Sequence, residues 1–211
     1  MTSSPGEPSF KDSALYILIF VAITWGFQLV PSNWFERFTA QTMSQIMNAL
    51  GLSSSHGFEG GTAYLTLLGG VRDVYVTIVR ECTGIHVWGI LLGLVLPLRG
   101  GSWTRKAASL VYGAVLIFLM NVSRIFLTVY LTAYDVPPFT WFFANPTVET
   151  YHYHVSFVYG VIGVAILILT ITRWFLPELG ETLIGFPTGF KVLLKRYWRR
   201  PVSRESSDQR Q

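Results

Sequence analysis

The architecture of this chain follows from RECTGIHVWGILLGLVLP, residues 80 to 97, which joins a strand-like run to an apolar helix. Cys82, the only cysteine of the protein, lies at the junction. A side chain at a helix N-terminus meets the positive end of the backbone dipole, which favours the thiolate form of a cysteine. The junction is therefore a candidate position for a nucleophile.

The composition of the 211-residue chain is typical of a membrane protein. Hydrophobic residues make up 51% of it and charged residues only 13%, whereas about 25% of residues in soluble domains are charged. The mean hydropathy is +0.43. The basic residues flank apolar segments, so no nucleic-acid partner is expected despite the net charge of +4. A single cysteine excludes an internal disulfide.

Four apolar segments approach the length that crosses a hydrocarbon core about 30 Å thick. We predict transmembrane spans at residues 13 to 30, 84 to 98, 107 to 132 and 154 to 175. Arg99, Arg105 and Lys106 follow the second span without an acidic residue, and more basic residues occupy a predicted cytoplasmic tail at 178 to 211. Positive residues favour the cytoplasmic side. Both termini are therefore expected there, with a disordered segment at residues 1 to 12.

Further elements are predicted between the first two spans. Apolar residues recur at helical spacing from Asn33 to Leu50, which indicates an amphipathic helix on the membrane surface. After a serine-rich turn, strand formers on both sides of Gly69 and Gly70 predict a small extracytoplasmic β-hairpin before the Cys82 helix. A second amphipathic helix, rich in basic residues, is expected in the tail. The predicted fold class is all-α integral membrane, with about four transmembrane helices, this hairpin and amphipathic surface helices.

Polar side chains fall near the outer ends of three predicted spans. Cys82 opens the second span, and His152 and His154 lie at the start of the fourth. Thr132 is the last residue of the third span, and Arg124 lies eight residues before it. At 1.5 Å per residue, Arg124 is predicted to lie roughly 12 Å below the outer membrane boundary. An arginine at that depth costs several kcal/mol and by default has a function. A thiolate attacks carbonyls, an imidazole moves protons and a guanidinium stabilises oxyanions, so acyl transfer at the outer face is predicted.

Three motifs resemble those of one family, the exosortase and archaeosortase superfamily. ECTGIHVWGILLGLVLPL is similar to its cysteine motif, NVSRIFLTVYL to its arginine motif, with an Asn three residues before the Arg, and YHYHVSFVYG to its histidine motif. Their order and spacing are also similar. The resemblance covers roughly residues 33 to 175.

The resemblance implies an integral-membrane cysteine transpeptidase. Such enzymes recognise exported proteins by a C-terminal signal made of a short motif, a transmembrane helix and a basic cluster, cut near the motif, and transfer the product to a lipid or surface acceptor. Carried over by motif, Cys82 is the nucleophile, Arg124 the oxyanion or substrate-binding group and His154 the acid/base, with His152 as the alternative. No cofactor is implied. The site is expected to face outwards from a multi-pass protein of the cell membrane.

Two other interpretations stay open at this point. Cys82 and His86, four residues apart on one predicted helix, could bind zinc together with His152 and His154, although no HExxH-like pattern or extra carboxylate supports this. Alternatively, the chain is a non-enzymatic membrane subunit of a polysaccharide or lipid export complex. In that case Arg124 only ties the helices together.

Overall fold

The computed structural model describes residues 10 to 143 and 145 to 183, with side chains from residue 13 onwards, and most of these residues are helical. A sheet and a short helical turn connect the second and third helices. In chain order the elements are α1 Phe10–Gln28, α2 Asn33–Ala49, β1 Ser53–Glu59, β2 Thr62–Leu68, β3 Val74–Ile78, a 3-10 turn Arg80–Thr83, α3 Ile85–Val95, α4 Trp103–Tyr134, α5 Phe139–Phe142, α6 Val148–Thr170 and a π turn Ile171–Phe175. Residues 177 to 183 are also helical.

Two glycines allow α1 and α3 to pack closely side by side. A methyl group at Gly93 would lie 2.6 Å from the Thr24 hydroxyl, and one at Gly89 would lie 2.9 Å from the Phe27 ring. Glycines four residues apart form one flat stripe on a helix, which lets two backbones approach. Tyr16 adds a hydrogen bond from its hydroxyl to the carbonyl oxygen of Leu94, at 2.7 Å.

The longest helix, α4, contacts both the other helices and the sheet. Its 32 residues measure about 48 Å at 1.5 Å per residue. Near its start, Lys106 donates a hydrogen bond to the carbonyl oxygen of Leu98 and thereby ties the end of α3 to α4. Near its end, Ile125 and Val129 are buried in the same apolar core as the sheet. The helix therefore joins the apolar helices to the part of the protein that contains the sheet.

The three strands form an antiparallel sheet in the order β1–β2–β3, covered on one face by α2 and α4. Leu65 and Leu67 of β2 and Ile78 of β3 are fully buried, as are Met43 and Met47 of α2. Alternate residues of a strand share a face, so the inward set of each strand forms this core.

The predicted β-hairpin is confirmed as β2 and β3, but the segment before it differs from the prediction. Residues 53 to 59, expected to begin with a serine-rich turn, form a third strand that pairs with β2 along its whole length. Phe58 is its only strand former, and the pairing rather than propensity stabilises it. The helix expected on the membrane surface, α2, buries its apolar stripe against this sheet.

The prediction of four spans is not confirmed. By length and composition, two helices can cross a membrane: Trp103–Tyr134 and Val148–Phe175. A third span is possible only if the helices Ser13–Gln28 and Asn33–Ala49, which are bent by 71° relative to each other, form one broken span. The predicted second span is only the 11-residue helix α3, about 16 Å long. It begins at Ile85, directly after Gly84 with its φ of 74°, and ends at Val95, three residues before the predicted end.

The boundaries of other predicted segments also differ. The first helix begins at Phe10, within the segment predicted to be disordered, and the last long helix begins at Val148, six residues before the predicted start. Residues 1 to 9 and 184 to 211 lie outside the described residues. The predicted basic tail therefore falls mostly outside the described part of the chain.

Candidate active site

Cys82 lies in the 3-10 turn that follows β3, and not in the first turn of α3 as predicted. Its amide donates a hydrogen bond to the carbonyl oxygen of Val79, at 2.8 Å. Gly84 then adopts the left-handed conformation, and α3 begins at Ile85. The thiol is free and partly buried, and its side chain packs against the core below the sheet. The turn presents one cysteine between the sheet and the apolar helices.

Two side chains of α4 hold the backbone of this turn. Asn121 donates from its side-chain amide to the carbonyl oxygen of Cys82, and Arg124 donates from Nη2 to the carbonyl oxygen of Glu81, at 3.4 Å. Residues three apart lie on the same side of a helix, so both reach the same turn. Asn121, the asparagine of the arginine motif, is thus placed to hold the cysteine turn in position. Its place in the sequence alone did not indicate this role.

Arg124 connects the cysteine turn to α6. Its Nη1 donates to the hydroxyl of Ser156 at 3.4 Å. Its Nε is buried, and no hydrogen-bond partner is found for it among the described residues. A guanidinium carries five N–H donors, so donors remain for a substrate oxygen beyond the two long protein contacts.

The two candidate histidines point to different sides of α6. His152 lies four residues before Ser156, on the same side of the helix, and faces Arg124. His154 donates from Nδ1 to the carbonyl oxygen of Thr150, at 2.7 Å. Its ring contacts Phe139, with 5.3 Å between ring centroids. Two side chains that are two residues apart on an α-helix point in directions that differ by a rotation of about 200°. His152, and not His154, thus lies on the face of α6 that bonds to Arg124.

His154 instead lines an apolar groove of about 560 Å³ between α4 and α6. Leu127 and Leu131 form one wall of this groove, and Phe157 and Val158 form part of the other. The groove opens on the side of the helices that carries exposed apolar residues, including Phe157, which is 73% exposed. In a membrane, this side contacts lipid.

The structure contradicts the geometry behind the zinc interpretation. Gly84 ends the turn of Cys82 before the helix of His86 begins, so the two residues do not share one helix face. The ring of His86 instead contacts the side chain of Gln28, and its Nε2 lies 3.7 Å from the Glu81 carboxylate. Within residues 10 to 143 and 145 to 183, no group of three His, Cys, Asp or Glu residues could hold a metal ion.

Sequence reasoning did not identify Ser156, which contacts Arg124 directly. The available signal was its position four residues after His152, which puts both side chains on one face of a helix. That signal becomes useful only when the face of α6 that meets α4 is known.

Comparison with known proteins finds one match. The family model described as transmembrane exosortase matches residues 12 to 171, which include the cysteine turn, Asn121, Arg124 and both histidines. No curated protein and no solved structure matches the chain. Because the match covers well over half of the 211 residues, the chain belongs to the transmembrane exosortase family, a family of membrane transpeptidases.

Proposed function

We propose that this protein is a cysteine transpeptidase that cuts the C-terminal sorting signals of exported proteins at the outer face of the cell membrane. One observation carries the proposal. Arg124 reaches the backbone beside Cys82 and the hydroxyl of Ser156 at the same time, and Ser156 lies one helical turn after His152 on the same face of α6. The cysteine turn, the guanidinium and the face of α6 that carries His152 are therefore next to one another.

The reaction follows from what these groups can do. His152 accepts the proton of the Cys82 thiol, and the thiolate sulfur forms a bond to the carbonyl carbon of the scissile peptide. The negative charge that develops on the carbonyl oxygen is stabilised by Arg124. As the carbon–nitrogen bond breaks, the imidazolium returns the proton to the leaving amine. An amine or hydroxyl acceptor, or water, then attacks the thioester and frees Cys82.

We infer that His152, and not His154, carries the proton. A general base must come within hydrogen-bond reach of the proton that it moves, directly or through one water. His152 lies on the side of α6 that faces Arg124, whereas His154 contacts Phe139 and lines the apolar groove. The contacts of His154 support a role in packing or in lining that groove.

The length of α4 supports a site close to the outer membrane boundary. Lys106 and its basic neighbours suit the inner boundary, and Arg124 lies 18 residues further along, or roughly 27 Å. The hydrocarbon core is about 30 Å thick. The remainder of α4 packs against the sheet. We therefore infer that Arg124 lies near the outer surface, shallower than the roughly 12 Å that sequence alone suggested.

The proposal includes the topology and the partners. Both termini lie in the cytoplasm, the cysteine turn faces outwards, and the substrates are exported proteins with a short motif, a transmembrane helix and a basic cluster at the C-terminus. The acceptor is a lipid or a surface group. Membrane insertion of the substrate helix brings its motif to the level of Cys82, because both proteins cross the same hydrocarbon thickness.

The test compares membrane and surface proteins of cells that carry the wild type with those of cells that carry Cys82→Ala. C-terminal peptides are read by mass spectrometry, and the level of the variant is checked by immunoblot. We expect a set of exported proteins to keep an apolar helix and a basic tail only in the variant. The mass of the new C-terminus in the wild type distinguishes transfer from hydrolysis. Unchanged C-termini at a normal protein level would favour the non-enzymatic export subunit.

A further inference from the structure

The two edges of the sheet differ in whether anything covers them. In the antiparallel order β1–β2–β3, each outer strand has one edge that faces away from β2. An edge strand exposes a row of unpaired N–H and C=O groups that can pair with another chain. What covers each edge therefore indicates which of the two is available to a partner.

A side chain of α2 covers part of the β1 edge. The amide of Asn48 accepts a hydrogen bond from the backbone N–H of Ser54, at 2.9 Å, and donates one to the carbonyl oxygen of the same residue, at 3.0 Å. It pairs with Ser54 as a neighbouring strand would. The Ser54 hydroxyl also donates to the carbonyl oxygen of Ser44, at 2.9 Å. The strand ends in the charged residue Glu59.

The β3 edge has none of these features. In the part of the chain that the structure describes, β3 pairs with β2 alone, and no side chain bonds to its backbone. Its sequence VYVTI has no charge, glycine or proline, although natural proteins commonly protect edge strands with such residues. Tyr75 is 60% exposed. A strand of high β-propensity thus has an open edge.

This open edge leads directly to the nucleophile. Three residues lie between Ile78, the last residue of β3, and Cys82, and the Cys82 amide donates a hydrogen bond to the carbonyl oxygen of Val79. An extended peptide beside β3 would therefore continue past the cysteine turn. The strand edge and the cysteine turn are thus adjacent in the chain.

We propose that the open edge of β3 binds the extended segment of the substrate next to the scissile bond as an added strand. This inference rests on the proposed transpeptidase function and specifies how that site holds its peptide. Main-chain hydrogen bonds supply affinity, and alternate side chains of the peptide supply selectivity. The rings of Tyr64 and Tyr75 stack at 5.3 Å on the outward face, where every second substrate side chain would meet them.

The experiment uses the single cysteine of the chain. Cys82→Ala leaves a full-length protein without any thiol, into which one cysteine is placed at a time. Thr77→Cys tests the β3 edge, and Ser55→Cys is the matched control on the β1 edge. The probe is an exported protein whose C-terminus stays uncut in Cys82→Ala cells, with single cysteines along the residues that precede its transmembrane helix. Disulfides are formed in membranes with a mild oxidant.

We expect Thr77→Cys to form disulfides with every second position of the probe, because side chains alternate between the faces of a strand. Ser55→Cys should form none. Disulfides to Ser55→Cys, disulfides without a two-residue period, or dimers of the enzyme in place of a probe adduct would overturn the proposal. If no C-terminus stays uncut in Cys82→Ala cells, the proposed function itself fails. The two failures are thus distinguishable.

Discussion

Asn121 of α4 donates a hydrogen bond from its side-chain amide to the backbone carbonyl oxygen of Cys82, 39 residues earlier in the chain. The bond fixes the main chain of the candidate nucleophile to the helix that carries Arg124. Because Arg124 bonds to the preceding carbonyl, at Glu81, two adjacent peptide groups are held by one helix face. The backbone of the cysteine turn is therefore held against the face of α4 that carries Arg124.

Replacement of Asn121 by Ala should lower the cleavage rate by about 100-fold, since small displacements of reacting groups cost that much. Asn121 is buried, and loss of its bond leaves the carbonyl oxygen of Cys82 unpaired. The rate of substrate cleavage in membranes measures the effect. Ser123→Ala is the control, because Ser123 is exposed and bonds only within its own helix. Equal activity of the two variants would contradict the positioning role.

Replacement of Arg124 by Lys should reduce cleavage on the order of 100-fold or more, which is the usual cost of losing an oxyanion donor. An ammonium group cannot reproduce the planar fork that reaches Glu81 and Ser156 together. Arg105→Lys, at an exposed position of the same helix, should behave as the wild type. Near-normal turnover of Arg124→Lys would remove the oxyanion role.

The two histidines of α6 offer a matched pair of variants. His152→Ala should lower the cleavage rate by about 100-fold or more, the usual contribution of a general acid–base group. His154→Ala removes the same ring from the opposite side of the helix and should retain most of the activity. The comparison requires equal amounts of both variants in the membrane. The reverse ranking would assign the proton transfer to His154.

Gly93→Ala should destabilise the protein by about 1–3 kcal/mol, the usual cost of an overpacked core position. The added methyl group would meet Thr24 and the backbone of Phe20, so α1 and α3 must separate. Gly160→Ala is the control, because no atom lies within 4 Å of its added methyl group and alanine favours a helix. Thermal unfolding in detergent measures both. A similar melting temperature for the two variants would show that the close approach of α1 and α3 is not required.

Local sequence patterns predicted the long helices and the β2–β3 hairpin with good accuracy. Apolar runs and paired glycines are local signals, and the helices and the hairpin that they predict are present in the structure. Strand β1 was missed because its serines carry no strand signal, and it exists through pairing with β2 and through Asn48. The position of Cys82 relative to the start of α3 was also misjudged. Gly84 reads as a tolerated residue in an apolar run, but its left-handed conformation ends the cysteine turn.

The order and spacing of the Cys, Arg and His motifs sufficed to indicate the family, because they resemble the motifs of that family along the chain. It could not choose between His152 and His154, since both stand at the start of the same helix. That choice depends on which face of α6 meets α4, and only side-chain packing between distant segments decides it. Two other features also depend on tertiary structure: the contact of Asn121 with the cysteine turn, and the open edge of β3. Both arise from contacts between segments far apart in the chain, which no local pattern encodes.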